Sequence, residues 1–436
     1  INGKWNTRIV TNGAKCDYKV LGNPARDQPK KCYIRSTSNT LPDPTYFSRV
    51  KVCDSNGGSL TDPRAGLCQK YPNGNFKPVG NMQKYSDRVR LAAFGYLMED
   101  GDARYGGVLR APMTFVGPKT YDADGTALAD TNPYVEWDLN TGIFRANPRG
   151  ETVESNSGVI NYLNKFGRVG ATPGLYKGHD PVGELYYESL RYLQGLAPTP
   201  QAVSSIDAAK RAGFPAYEIW TDPFDGGSNT KSYACLRNSI MLIGDVKTHN
   251  DKSLPGNNRT ENYDFDRTAE VNLANNIPNF KQWTKVIGGF ESNNSVSYTD
   301  ANGITRSTSN PTAFTDSTLW ELEDKDTGYN SAAYYMAGAA YWARTHDIRG
   351  TNWTGNSAKQ RPGMRVTTYV LDVNEKGAQS TSTNRYKSQF FLTAKYGGFN
   401  DIDNDGNPFT PANELGQFNN RHWEKENAPR EAKTYF

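Results

Sequence analysis

Ile240-Met241-Leu242-Ile243-Gly244-Asp245 is a short, unbroken apolar run closed by Gly and Asp. A run of that length predicts a strand buried on both faces. Downstream come an apolar helical segment from Ser331 to Thr345, the β-branched run Val366 to Val373, and a helix near Ser388 to Tyr396 closed by Gly397-Gly398. Strand, helix, strand and helix with long connections require parallel pairing, so the fold class is α/β with a layered sheet. Two such strands are too few to stand alone. The rest of the sheet is expected from the N-terminal half or from sequence outside the chain.

Upstream the text is different. Residues 1–80 are polar and rich in Asn, Pro and Gly, and predict irregular loops with short strands. Residues 81–235 predict mixed α+β structure. Val89, Leu91 and Ala93 alternate with other residues, and Gly107-Val108-Leu109-Arg110 opens a second extended segment, together a hairpin. After a polar loop containing Asp122-Ala123-Asp124-Gly125, Tyr134 to Trp137 reads as another strand. Ser157 is placed to cap a short helix carrying Val159, Ile160, Leu163 and Phe166, stopped by Gly167. Asp180-Pro181 opens a longer one, with Val182, Leu185, Tyr186, Ser189, Leu190 and Leu193 on one face, ended by Pro198 and Pro200.

Composition narrows the function classes. Among 436 residues, 50 basic against 46 acidic side chains give a formal charge of +4. That excess, with no long Lys/Arg run, excludes a nucleic-acid binder and a polybasic membrane-surface protein. No stretch reaches the roughly 18 to 20 apolar residues of a transmembrane helix, so no membrane span is expected. Gly (41) and Pro (24) stay below low-complexity levels, which excludes a collagen or a disordered tail. The 26 Tyr supply an unusual share of the apolar surface and suit extracellular proteins and binding surfaces. The chain begins at Ile1 with neither a start Met nor a signal-peptide pattern, and is expected to be processed or cut from something larger.

Five cysteines point the same way. Cys16 with Cys32, and Cys53 with Cys68, would each close a polar loop of about 15 residues that has little apolar content to order it otherwise. Two local disulfides are expected. Cys235 is left over, either a buried free thiol or a thiol with a partner elsewhere.

The sharpest chemical signal is Asp401-Ile402-Asp403-Asn404-Asp405-Gly406-Asn407. Carboxylates at loop positions 1, 3 and 5, a Gly at 6 for the sharp turn and a backbone carbonyl at 7 are what an oxygen-ligand calcium loop requires. Phe409 at position 9 and Ala412 at position 12 depart from an EF-hand, and Glu414 is a possible extra ligand. The expected ligands are Asp401, Asp403, Asp405 and Asn407, with calcium as cofactor. Asp245 stands at the carboxyl end of the first strand, where open α/β sheets bind ligands, and is a second possible metal or ligand residue. Asp122, Asp124 and Asp130 read equally as a cation loop or a hairpin tip. The four His have no zinc spacing, and no nucleophile elbow, phosphate loop or dinucleotide fingerprint occurs.

Several segments together resemble a known family. Lys77-Pro78-Val79-Gly80, Phe94-Gly95-Tyr96-Leu97, Gly106-Gly107-Val108-Leu109-Arg110-Ala111 and Asn161 to Gly167 are followed in order by Glu184-Leu185-Tyr186-Tyr187, Ile243-Gly244-Asp245-Val246 and Asp347-Ile348-Arg349. This series, over most of residues 70 to 400, resembles the PilC/PilY family of type IV pilus tip adhesins and assembly proteins. The resemblance implies a secreted protein much longer than this chain, with a von Willebrand factor A-like half carrying large irregular, β-rich insertions. Residues 236–400 would be the second half of that domain, and residues 401–436 the calcium loop and C-terminal tail. Asp245 would match the last acidic position of a metal-ion-dependent adhesion site, although the Asp-x-Ser-x-Ser loop that supplies its first ligands is absent here. The Arg-Gly-Asp tripeptide of some members is also absent, since Thr351 follows Arg349-Gly350.

The expected function is therefore non-enzymatic: a pilus-tip adhesin or assembly fragment at the cell surface. Its partners would be minor pilins or the tip complex and a host or abiotic surface. The alternative is a secreted polysaccharide-binding or polysaccharide-hydrolysing protein, for which Glu136 with Asp138 and Glu321 with Glu323 are the carboxylate pairs at hand.

Overall fold

Alternating side chains bring Leu91–Gly95 (β1) against Val108–Thr114 (β2) as the expected antiparallel hairpin, with Ala93 opposite Ala111. The computed structural model describes residues 53, 67–99, 104–129, 131–170, 173–174, 176–225, 236–261, 263–271, 277–328, 332–351, 353, 357–374, 381–409 and 420–436. All lie in one compact unit, Cys53–Phe436. Ala93 and Ala111 share a small core with Ile160 and Tyr162 of helix α1 (Val159–Lys165) and with Phe214.

Helix α1 begins otherwise than expected. Its N-cap is Gly158, at φ 90, and the Ser157 hydroxyl donates to Asn147 instead. The first-turn N–H groups of Val159 and Ile160, which have no partner within the helix, donate to the two carboxylate oxygens of Glu136 at 2.7 Å each. Tyr134 to Trp137 is consequently no strand. Trp137 forms a single bridge with Phe144, and the segment turns so that Glu136 faces the helix end.

Helix α2 (Val182–Leu193) buries the predicted face, including Tyr186, Leu190 and Leu193. Asp180 does not cap it. The Asp180 carboxylate pairs with His249, while Asp251 accepts from the Gly183 N–H. The helix stops at Leu193, where Gly195 takes a left-handed backbone at φ 68, before Pro198 and Pro200 are reached.

Strands β3 (Asn238–Gly244) and β4 (Val366–Asp372) pair in parallel, as expected, with Met241 beside Tyr369 and Ile243 beside Leu371. Three long helices pack in this half: α3 (Phe280–Ser292), α4 (Tyr335–Thr345) and α5 (Gln389–Gly398). From Tyr335 to Ala343, α4 is wholly buried. Helices α3 and α4 approach so closely at Gly338 that a Cβ there would lie 2.5 Å from the Phe280 carbonyl oxygen. At Gly397, a Cβ would lie 2.7 Å from Thr368 of β4 and 2.8 Å from Ala340 of α4. Helix α2 joins the same core, its Tyr186 hydroxyl lying 2.8 Å from that of Thr368.

The expectation that β3 is buried on both faces fails. Leu242 and Val370 point into the helices and are 6% and 0% exposed, whereas Met241 and Ile243 are 59% and 56% exposed. Helices α2, α4 and α5 all pack on the face of Leu242 and Val370, so alternation along the strand leaves every second residue outside. Nor do the described strands of the N-terminal half join this sheet. Instead the C-terminal residues Thr434–Phe436 run parallel beside β4, through bonds from Val370 N–H to the Thr434 carbonyl and from Phe436 N–H to the Val370 carbonyl.

Candidate metal centre

Helix α5 ends at Gly398, and within three residues the chain enters the acidic loop. Asn404 and Gly406 take left-handed backbone, at φ 58 and 75, and fold the loop back on itself. Carboxylate oxygens of Asp401, Asp403 and Asp405 lie within 4.8 Å of one another, the one such cluster among the described residues. The loop closes on its own amides: Gly406 N–H donates to Asp401 Oδ1 at 3.3 Å, and Asn407 N–H to Asp405 Oδ1 at 2.6 Å. Asp401 Oδ2 is buried and accepts no hydrogen bond.

The loop is clamped from below. Tyr298 donates its hydroxyl to the Asp405 carbonyl at 3.0 Å, and Tyr341 of α4 donates to the Gly406 carbonyl at 2.7 Å. Phe409, where an EF-hand carries a polar residue, is 1% exposed and packs on Phe290 and Trp423. Its place in the pattern is structural: it pins the loop's exit to the core. The Asn407 carbonyl faces His422 Nδ1 at 3.4 Å, and the Asn404 side chain accepts from Arg365.

Electrostatics mark the cluster as short of positive charge. Burial, and then the neighbouring Asp403 and Asp401 carboxylates, push Asp405 up to about 6. Burial also raises Asp401, with Asp403 adding to the shift and Arg365 and Arg344 opposing it. An orphaned buried carboxylate oxygen beside two more carboxylates is a donor set for a hard cation, and the residues present fit calcium. Asp401, Asp403 and Asp405 would hold it, with Asn407 as the fourth expected ligand.

Of the remaining predicted positions, Asp245 is held elsewhere, its Oδ1 accepting from Lys247 N–H in a turn after β3. It lies near Asp180, which bonds His249 at 2.5 Å and is pushed up to about 6, mainly by burial. Asp245, Asp180 and His249 do not bring three ligand atoms within 4.8 Å of one another, as the acidic loop does. Glu414, Asp130, Cys16, Cys32 and Cys235 lie outside the described residues. The Cys53–Cys68 disulfide is formed, with Cα atoms 6.0 Å apart. Asp122 accepts from the N–H groups of Asp124 and Thr126, the hairpin-tip reading. Of the carboxylates of the hydrolase alternative, Glu136 and Asp138 are engaged in the fold, while Glu321 is exposed. Glu136 caps α1, Asp138 closes a turn onto Thr141, and Glu323 is buried near Lys285.

Tyr298, Tyr341 and Arg365 are the loop-supporting residues that sequence reading missed. They stand 39 to 107 residues upstream of the loop residues they bond, and no local spacing connects them to the loop.

Comparison with known proteins agrees in sequence and adds no solved fold. A family model described as the second domain of PilY1 homologs matches residues 102–343. The type IV pilus biogenesis factor PilY1 homolog of Xylella fastidiosa is 35% identical over 386 residues, covering 84% of this chain and 28% of that protein. The chain thus spans little more than a quarter of that relative's length. No solved structure matches.

Proposed function

The chain belongs to the family of PilY1 homologs, and on that premise we propose that it serves type IV pilus biogenesis as a binding part of a longer, pilus-associated protein. It acts by contact and not by turnover, at the cell surface and pilus tip, towards minor pilins or the tip complex and towards host or abiotic surfaces. Its match to the family model over residues 102–343 carries this reading. The structural roles of Glu136 and Asp138 weigh against the hydrolase alternative. No helix among the described residues is long and apolar enough to cross a membrane. The parallel β3–β4 pair with helices against it supports reading residues 236–400 as half of a von Willebrand factor A-like sheet.

Calcium, when bound, supplies two positive charges to the Asp401, Asp403 and Asp405 cluster. The protein's part is to bring three carboxylates together in advance, through the left-handed Asn404 and Gly406 and the two tyrosine clamps. A cation that binds only the folded loop stabilises the fold by mass action. Thermal unfolding with calcium and with chelator, in wild type and in Asp403→Ala, tests the site. Calcium should raise the wild-type melting temperature and leave the variant unmoved; an equal shift in both would sink it. Recovery of the protein from sheared pili, within a polypeptide extending beyond residues 1–436, tests the pilus assignment separately.

A further inference from the structure

Gln389, the first residue of α5, is 1% exposed, yet its side-chain Oε1 is buried without a hydrogen-bond partner. The neighbouring network fixes which way the amide faces. The single proton of the Thr248 hydroxyl goes to Asp251 Oδ2 at 3.0 Å, so Thr248 accepts from Gln389 Nε2 at 2.6 Å. Asp251 is held in turn by the N–H groups of Gly183 and Ala333. The amide nitrogen is thus tied into the core, and the oxygen is left as an acceptor with no donor. Buried acceptors are ordinarily satisfied, so an orphan beside a cavity points to a ligand that donates.

Such a cavity is present. It measures about 250 Å³ and lies where the chain leaving β3 meets the starts of α4 and α5, with Val246, Thr327, Tyr334, Asn384, Ser388 and Gln389 in its wall. Lys387 also lines it, but its Nζ lies 2.7 Å from Asp316 and 3.0 Å from the Thr318 hydroxyl, so its charge is balanced already. No carboxylate of the described residues lines it.

We propose that this cavity binds a neutral monosaccharide, one of whose hydroxyls donates to Gln389 Oε1. Three features select that class. The first is charge: an ionic ligand would meet no unbalanced opposite charge in the wall. The second is size, since the space falls below the roughly 300 Å³ at which pockets take drug-sized ligands, and suits a single ring.

The third is the make-up of the wall. Four neutral polar side chains, Thr327, Asn384, Ser388 and Gln389, surround a small space, with Val246 and Tyr334 supplying apolar surface. A sugar ring carries a hydroxyl on nearly every carbon, each able to donate and accept, and turns C–H groups towards apolar walls. A lone carboxamide has too few polar atoms to use that many partners. The inference stands on this cavity alone, apart from the pilus assignment and from calcium.

Calorimetry and saturation-transfer NMR on the 436-residue chain test it, with glucose, galactose, mannose and N-acetylglucosamine as separate probes. At least one should bind saturably, one molecule per chain, with a Kd of about 1 mM, as expected of a ligand with so few atoms. Gln389→Leu should weaken that binding about tenfold by removing the acceptor. Because this variant also gives up the bond to Thr248, its melting temperature is read beside it. Asn384→Trp, at the exposed rim, leaves the core untouched and should block entry; it decides alone if Gln389→Leu fails to fold. No saturable binding of any of the four sugars up to about 50 mM would overturn the proposal. So would sugar binding undiminished in Asn384→Trp, or binding of acetamide or inorganic phosphate where the sugars do not bind.

Discussion

The Tyr341 hydroxyl donates to the Gly406 carbonyl at 2.7 Å, tying a fully buried turn of α4 to the sharp bend of the acidic loop. The ring stays fixed by its edge-on contact with Tyr396, at 5.5 Å between centroids. Tyr341→Phe keeps that packing and leaves the buried Gly406 carbonyl without its donor. The expected loss is about 1–3 kcal/mol of unfolding free energy, read in a urea titration, with weaker calcium stabilisation besides. An unchanged midpoint would show that the clamp contributes nothing.

The acidic cluster also fixes a pH dependence. Asp405 ordinarily titrates near 3.8 and is pushed up to about 6 in the folded, cation-free protein. Between those values the folded state binds more protons than the unfolded one, so cation-free stability falls as pH rises through this window. Bound calcium requires the carboxylates ionised, so its stabilising effect grows over the same range. The melting-temperature increment from calcium is therefore expected to be large at pH 7.5 and to vanish as pH falls through about 6 towards 4. Scanning fluorimetry with calcium and with chelator, from pH 4 to 8, checks it; a flat increment would place calcium elsewhere.

What the sequence disclosed follows from the range of the forces involved. The parallel strands, the β1–β2 hairpin, the face of α2 and the acidic loop are written in local periodicity or spacing, and all are present. The caps expected at Ser157 and Asp180 do not form because Glu136 and Asp251, distant in sequence, take the first-turn amides. Helix α3 escaped notice although Asn279 caps it and Phe280, Thr284, Ile287 and Glu291 share its buried side, since Gly288-Gly289 interrupts the apolar pattern. Those glycines are there for packing: a Cβ at Gly288 would lie 2.9 Å from the Leu319 carbonyl oxygen. The run at Ile240 was misjudged for a different reason. A continuous apolar strand reports that both faces are apolar, not that this chain alone covers them.

The disulfide is the next point of leverage. Cys53 and Cys68 are separated by 15 residues, and closing a loop of that size removes about 3 kcal/mol of unfolded-state entropy. Cys53→Ala with Cys68→Ala should lower stability by up to about that amount without altering the core of α2 to α5. Reductant should destabilise the wild type by more than the double variant, the difference being the share of the Cys53–Cys68 bridge. Equal loss to reductant in both proteins would mean that the Cys53–Cys68 bridge contributes nothing.

Beneath the acidic loop lies a buried ion pair whose removal should be felt in the loop. Lys395 Nζ is 2.7 Å from Glu291 Oε1, and the Tyr396 hydroxyl donates to the same oxygen at 2.7 Å. Burial lowers the Lys395 pKa, and Glu291 opposes the shift. Glu291→Ala would leave that ammonium buried among the rings of Trp423, at 4.1 Å, Phe409, at 4.6 Å, and Tyr396, at 5.6 Å. The expected cost is about 3–5 kcal/mol, because an unpaired buried charge forfeits its hydration. Lys395→Met alone should cost less, since Glu291 keeps the Tyr396 hydroxyl as a donor. Combining Lys395→Met with Glu291→Leu should recover much of the loss from Glu291→Ala, a strongly non-additive cycle in urea unfolding. Phe409 joins this pair to the loop, so Glu291→Ala should also shrink the melting-temperature gain from calcium. Additive losses with an undiminished calcium gain would mean that the pair and the loop are energetically independent.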